Sequence, residues 1–204
     1  NPSTILGREK SSFTVEIRDA AGEDRDVALL GLPAESDWVL LGPFEYDRAL
    51  IRNALIYQLA RETGRYAPRT RFVEVFLNEG GGPVRGPVPN GDDYYGVYVL
   101  VEKIKRGTNR VAVERLLPEH NSEPEITGGY VIKVDRAGPG DMGFYSGSRE
   151  FHFVYPKERN ISSAQREWIE GYVDELHAAL GSRNFGGEGG YGDYLDVDSA
   201  IDYH

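Results

Sequence analysis

The chain reads as an α+β domain built on a mixed or antiparallel sheet with few helices, and three observations predict it. Short segments that alternate in polarity, or are dense in Val, Ile, Phe and Tyr, recur along the first three quarters of the sequence. Only two long stretches, near 47–63 and 162–180, show helical spacing. One helix falls among the strands, and the others come at the end.

SFTVEIRD at 12–19 sets Phe13, Val15 and Ile17 against polar neighbours, the pattern of a half-buried strand. Ala20–Glu23 reads as a turn before a second short strand at Val27–Leu30. Trp38–Leu41 is a third apolar strand, stopped by Gly42-Pro43. Asp47 is placed to N-cap a helix running to about Thr63, with Gly64 as its stop. Leu50, Ile51, Ala54, Leu55 and Leu59 mark its apolar face. Arg71–Asn78 and Tyr94–Lys103 read as two antiparallel strands. The Gly- and Pro-rich EGGGPVRGPVPNGDD between them is expected to be a mobile loop.

Gly129–Asp135 and Phe151–Tyr155 are two further strands, separated by a flexible Gly-rich stretch. Ser162 and Gln165 have capping-box spacing, and Trp168, Ile169, Tyr172, Leu176 and Leu180 follow at helical period. GSRNFGGEGGYGD is a loop, and Asp198–His204 begins another helix. No internal repeat is evident.

Composition bounds the function. A chain of 204 residues, 40% hydrophobic and 27% charged, has room for a real core. Its formal charge of −10 argues against broad nucleic-acid or anionic-membrane binding, because both need basic patches. A local basic cleft for a nucleotide phosphate is compatible with that charge. No apolar run is long enough to span a bilayer. The lack of cysteine excludes disulfides, thiol catalysis and cysteine-based zinc sites. His120, His152, His177 and His204 do not fall at metal-ligand spacing, and no metal ligand is assigned within the chain. His152 reads as a strand residue. Walker A, dinucleotide and Gly-x-Ser-x-Gly motifs are absent.

Several polar residues stand in apolar settings, where charge is costly unless paired or used. Lys10 precedes the first strand; read alone, it is a solvated lysine. Arg52 and Asn53 sit mid-helix beside Ile51 and Leu55, and asparagine is a poor interior helix residue. Glu102 and Lys103 end a strand and must face opposite sides of it, Glu102 with Leu100 and Lys103 with Val101. Lys133 reads as solvent-facing. Tyr155-Pro156-Lys157 joins a strand to the last long helix.

Taken in order, these motifs resemble the spore-coat protein H (CotH) family of atypical kinases. The likeness rests on Lys10-Ser11-Ser12-Phe13 before a strand, on Asp47, Leu50, Arg52 and Asn53 as Asp-x-x-Leu-x-Arg-Asn, and on Gly96-Val97-Tyr98 followed by Glu102-Lys103-Ile104. Tyr155-Pro156-Lys157 extends it. The resemblance implies a kinase-like amino-terminal, nucleotide-facing lobe over 1–157 and the first helices of a carboxy-terminal lobe over 158–204. It implies ATP and Mg²⁺ as cofactors, with Ser3, Thr4 and Lys10 near the phosphates. Arg52 would face the cleft and pair with Glu102, in an inversion of the strand-lysine and helix-glutamate pair of protein kinases. Asn53 and Lys103 would stand beside them, and Tyr155 and Lys157 would lie where an adenine rests. Glu102→Ala is then expected to weaken nucleotide binding without unfolding the protein.

The family's catalytic aspartates, including the one on magnesium, are expected beyond His204, so no catalytic residue is assigned within the chain. The activity implied is transfer of the ATP γ-phosphate to Ser or Thr of partner proteins, in a secreted or spore-coat setting of a bacterium. The alternative is a non-catalytic surface or spore-coat scaffold that keeps the fold, for which thirteen tyrosines and two tryptophans would provide contact surface.

Overall fold

The computed structural model describes residues 10–42, 47–86, 93–135, 138, 141–184 and 186–203. Ser3, Thr4 and His204 lie outside them. The chain forms two compact units, one ending at Ile104 and the other starting at Lys105, each with its own antiparallel sheet. The α+β class is as predicted, with the strands divided between two sheets.

The first unit holds β1 (Phe13–Glu16), β2 (Asp37–Leu41), α1 (Arg52–Glu62), β3 (Thr70–Phe76) and β4 (Tyr94–Glu102), with sheet order β1-β2-β4-β3. All three pairings are antiparallel. Directly opposed residues share a face, so Trp38, Leu40, Tyr98, Leu100 and Glu102 line one side and Val39, Leu41, Val99 and Val101 the other. On the first side Trp38 and Leu100 enclose Leu32, with Val15, Ile17 and Val73 around them. On the second, Val99 and Val101 pack with Leu50, Ala54 and Tyr57, which seats α1 on that face.

Two expectations for this unit need correction. Val27–Leu30 is not a strand. Only a bridge from Val27 to Glu35 forms, because the backbone turns through Leu30 (φ 51°) and Gly31 (φ 76°) to drop Leu32 into the core. The helix begins at Arg52, since Leu50 has φ 59° and a left-handed leucine cannot lie within a right-handed helix. Burial of Leu50 against Val99 and Val101 offsets that strain. Asp47 still serves the helix end: its carboxylate accepts from the Arg52 N–H at 2.7 Å. The apolar face also divides. Leu50 and Ala54 turn to the sheet, whereas Ile51, Leu55 and Leu59 are each about half exposed.

The loop between β3 and β4 is anchored at its base. Asp93 accepts from Asn78 Nδ2 at 3.1 Å and from the Arg85 N–H at 2.8 Å. Residues 87–92 lie outside the described set.

The second unit holds β5 (Val131–Lys133), β6 (Gly143–Ser146), β7 (Arg149–Tyr155), α2 (Ser163–Gly181) and α3 (Val197–Tyr203), with sheet order β5-β7-β6. β6 lies in the stretch the sequence reads as flexible. Its hairpin closes at Gly147 (φ 56°), where a Cβ would come within 2.5 Å of the His177 ring. The capping box forms as the spacing predicts: Ser162 accepts from Gln165 N, and the Gln165 side chain accepts from Ser162 N. Ile169 and Val173 on α2 then pack onto Phe144 and Phe153, flanked by Trp168 and Tyr172.

Candidate functional site

Lys10 has the most specific surroundings of the candidate residues in the first unit. Its ammonium donates to the carbonyl of Val97 and stands 4.6 Å from the centre of the Tyr98 ring. Two glycines form the floor beneath it. A Cβ on Gly42 would meet Lys10 Cγ at 2.9 Å and Tyr98 Cε1 at 2.7 Å, and one on Gly96 would lie 3.6 Å from Lys10 Nζ. Tyr98 is itself fixed: it is fully buried, and its hydroxyl donates to the Ser11 carbonyl at 2.9 Å. Gly42 N donates to Ser12 Oγ at 3.0 Å, which ties the end of β2 to the Lys10-Ser11-Ser12 segment. Desolvation lowers the Lys10 pKa, and burial pushes the Tyr98 hydroxyl up to about 12. The outcome is a half-buried lysine on bare backbone, able to receive an anion that replaces lost solvation.

Glu102 departs from expectation in its partner. Its side chain is 0% exposed and it pairs with Arg69, whose Nε lies 2.7 Å from Oε1. The Arg69 N–H donates to Oε2 at 2.9 Å, and Glu102 N donates to the Arg69 carbonyl at 3.2 Å. Arg69 thus continues the β3–β4 ladder directly opposite Glu102. The expected Arg52–Glu102 pair does not form, and sidedness explains why: α1 covers the Val99/Val101 face, while Glu102 projects from the Trp38/Leu100 face. Arg52 is exposed and Asn53 half-buried in the first turn of α1. Lys103 does turn the opposite way from Glu102, and its ammonium meets Asp37 at 3.0 Å.

Lys10 lies against the middle of β4, whereas Glu102 is its last residue. Glu102 is five positions along from Val97, about 17 Å in an extended strand. The structure therefore brings together Lys10, Gly42, Gly96 and Tyr98 at the middle of β4, and Arg69 with Glu102 at its end. Sequence reasoning missed Arg69 as the partner and the two glycines as a floor. Gly96 in Tyr-Tyr-Gly-Val was the available signal, because glycine inside a strand marks close approach by another group.

In the second unit, Tyr155 is anchored at the Leu116 peptide. Its hydroxyl accepts from Leu116 N at 3.0 Å and donates to Leu116 O at 3.2 Å, while Arg106 lies over its ring at 5.5 Å. Lys157 is exposed and immediately precedes the short turn Glu158–Asn160. His152 is a buried strand residue, as read from sequence.

Lys133 is about one-third exposed and pairs with Asp141 at 3.0 Å. The Gly138 N–H and Lys133 together hold the Asp141 carboxyl below its usual range. A lowered folded-state value means a contribution present above the unfolded carboxyl pKa and lost as pH falls through the folded one. Asp141→Asn is therefore expected to be less stable than the parent at neutral pH, with the gap closing on acidification. Urea midpoints measured from neutral to acid pH check this, and a gap independent of pH would contradict it.

Comparison with known proteins adds one finding. The family model described as CotH kinase protein matches residues 4–204, nearly the whole chain. No curated protein matches, and no solved structure matches. The order of motifs, the two antiparallel sheets and this match agree: the chain belongs to the CotH kinase protein family.

Proposed function

We propose that the protein is the nucleotide-facing part of an ATP-dependent protein kinase that transfers the γ-phosphate to Ser or Thr hydroxyls of partner proteins. In this reading residues 1–157 form the nucleotide-facing lobe and 158–204 begin the helical lobe. A setting outside the cell or on a spore coat belongs to the same proposal and draws only on the family's name.

The observation that carries the proposal is Lys10 on its glycine floor. The stem of Lys10 passes over Gly42, where an added Cβ would meet Cγ at 2.9 Å, and its ammonium, of lowered pKa, lies over Gly96, 3.6 Å from where a Cβ would stand. Phosphate oxygens are the natural partner, being compact, anionic and able to approach bare backbone. Lys10 would hold the phosphate end of ATP. Arg52, Asn53 and Lys103 would add donors from the α1 side, and Glu102 would act through Arg69 by fixing the end of β4. Tyr155 and Lys157 are proposed to face the base. Bound Mg²⁺ would supply charge neutralisation on the phosphates. Among the described residues no group of three or more His, Asp or Glu is arranged to hold a metal, so no ligand for it is assigned.

Titration of ATP with Mg²⁺ into the protein tests this. Saturable binding is expected, weakened at least about tenfold in Lys10→Met, a loss near 1.4 kcal/mol. Absence of binding would contradict the nucleotide role and favour the scaffold.

A further inference from the structure

We propose that Ser12 is a second phosphate-binding residue of the Lys10 site, its hydroxyl donating to a ligand oxygen while the Gly42 N–H holds it in place. This role presupposes the nucleotide reading above and adds a donor to it. Three consecutive residues are pinned where the chain enters β1. The Lys10 ammonium donates to the Val97 carbonyl, the Ser11 carbonyl accepts from the Tyr98 hydroxyl at 2.9 Å, and Ser12 Oγ accepts from the Gly42 N–H at 3.0 Å. Lys10 and Ser12 thereby converge on one residue: a Cβ on Gly42 would meet Lys10 Cγ at 2.9 Å, and the Gly42 N–H is the group that Ser12 engages. Tyr98 is fully buried, so the segment rests on a support that does not yield.

The Ser12 hydroxyl is spent on one side only. An oxygen that accepts from Gly42 N turns its own proton away from that nitrogen, and this proton has no acceptor among the described residues. Ser12 is exposed, so a ligand can reach it. Accepting one hydrogen bond also polarises the hydroxyl and makes it a better donor. Lys10 is half-used in the same way: among the described residues its ammonium meets an uncharged carbonyl and a ring, and no carboxylate. A cation without an anion, two residues from a hydroxyl without an acceptor, suits a ligand rich in anionic oxygens. Phosphate presents several on one small group. A serine that served only to close the end of β2 would need neither exposure nor such a lysine beside it.

The test is titration of ATP with Mg²⁺ into the protein and into Ser12→Ala, Lys10→Met and the double variant, with circular dichroism to show that each is folded. Ser12→Ala is expected to weaken binding about tenfold, the scale of a hydrogen bond to a charged group. A further loss should appear when Ser12→Ala is added to Lys10→Met, because each residue contacts the ligand itself. If Ser12 acted only by holding the backbone that carries Lys10, its replacement would cost nothing once the ammonium was gone. Ser12→Thr keeps a hydroxyl and should retain most of the affinity. Ser11→Ala is the control: only the carbonyl of Ser11 is used, so binding should match the parent. Parent-like binding by Ser12→Ala, while Lys10→Met loses affinity, would overturn the role of Ser12 and leave the nucleotide reading standing. Absence of a further loss in the Lys10→Met background would overturn it as well, reducing Ser12 to a support for Lys10. No ATP binding by the parent would overturn both.

Discussion

Glu102→Ala is expected to lower the unfolding free energy by about 2–4 kcal/mol, read from the urea midpoint at unchanged slope. The carboxylate is fully buried, accepts from the Arg69 N–H and side chain, and faces Trp38 across the adjacent pair. Removing it strands the Arg69 N–H and leaves a void beside a packed indole. Arg69 is about one-third exposed, so water recovers part of its solvation and holds the loss below that of a fully buried pair. Glu102→Gln, which keeps an acceptor and the shape, should lose less. This revises the expectation that Glu102→Ala weakens nucleotide binding in an otherwise sound protein. A change within about 0.5 kcal/mol, the scale of an ordinary surface substitution, would contradict the structural role.

Gly42→Ala should disturb the proposed phosphate end more than its single methyl suggests. The new Cβ would stand 2.7 Å from a Tyr98 ring atom and 2.9 Å from Lys10 Cγ. Tyr98 is enclosed and tethered to Ser11, so the Lys10 stem is the part that gives way. A stability loss of about 1–3 kcal/mol is expected from overpacking. Lys10 should also leave its position, with ATP affinity falling about tenfold, as in Lys10→Met. Gly80→Ala is the control, because nothing lies within 4 Å of a Cβ there. If Gly42→Ala bound ATP like the parent while Lys10→Met did not, the floor would have no part in binding.

What the sequence disclosed was mainly local. β2 and β4 are recognisable because alternation and turn residues act over a few positions, and the Ser162–Gln165 box because its two hydrogen bonds span three. The false strand at Val27–Leu30 has the right composition, and the left-handed turn through Leu30 and Gly31 overrode it. β6 was hidden by its glycines, which serve a hairpin packed beside His177. The Arg69–Glu102 pair depends on the register of two strands joined by a long loop, and nothing in either strand alone sets that register. The failure of the Arg52–Glu102 pair has the same origin: helix face and strand face are both periodic, but the side of the sheet a helix covers is decided by tertiary packing. Lys10 became a candidate only through its resemblance to the family, because a lysine before a strand is ordinary until the glycine floor is visible.

The central claim is that the phosphate end of a nucleotide seats on Lys10 above Gly42 and Gly96. A crystal structure of the protein with a non-hydrolysable ATP analogue tests it most directly. The expected result is phosphate oxygens within hydrogen-bond distance of Lys10 Nζ, which would exchange the Val97 carbonyl for the ligand. Phosphates seated away from Lys10, with that lysine still bonded to Val97, would contradict it.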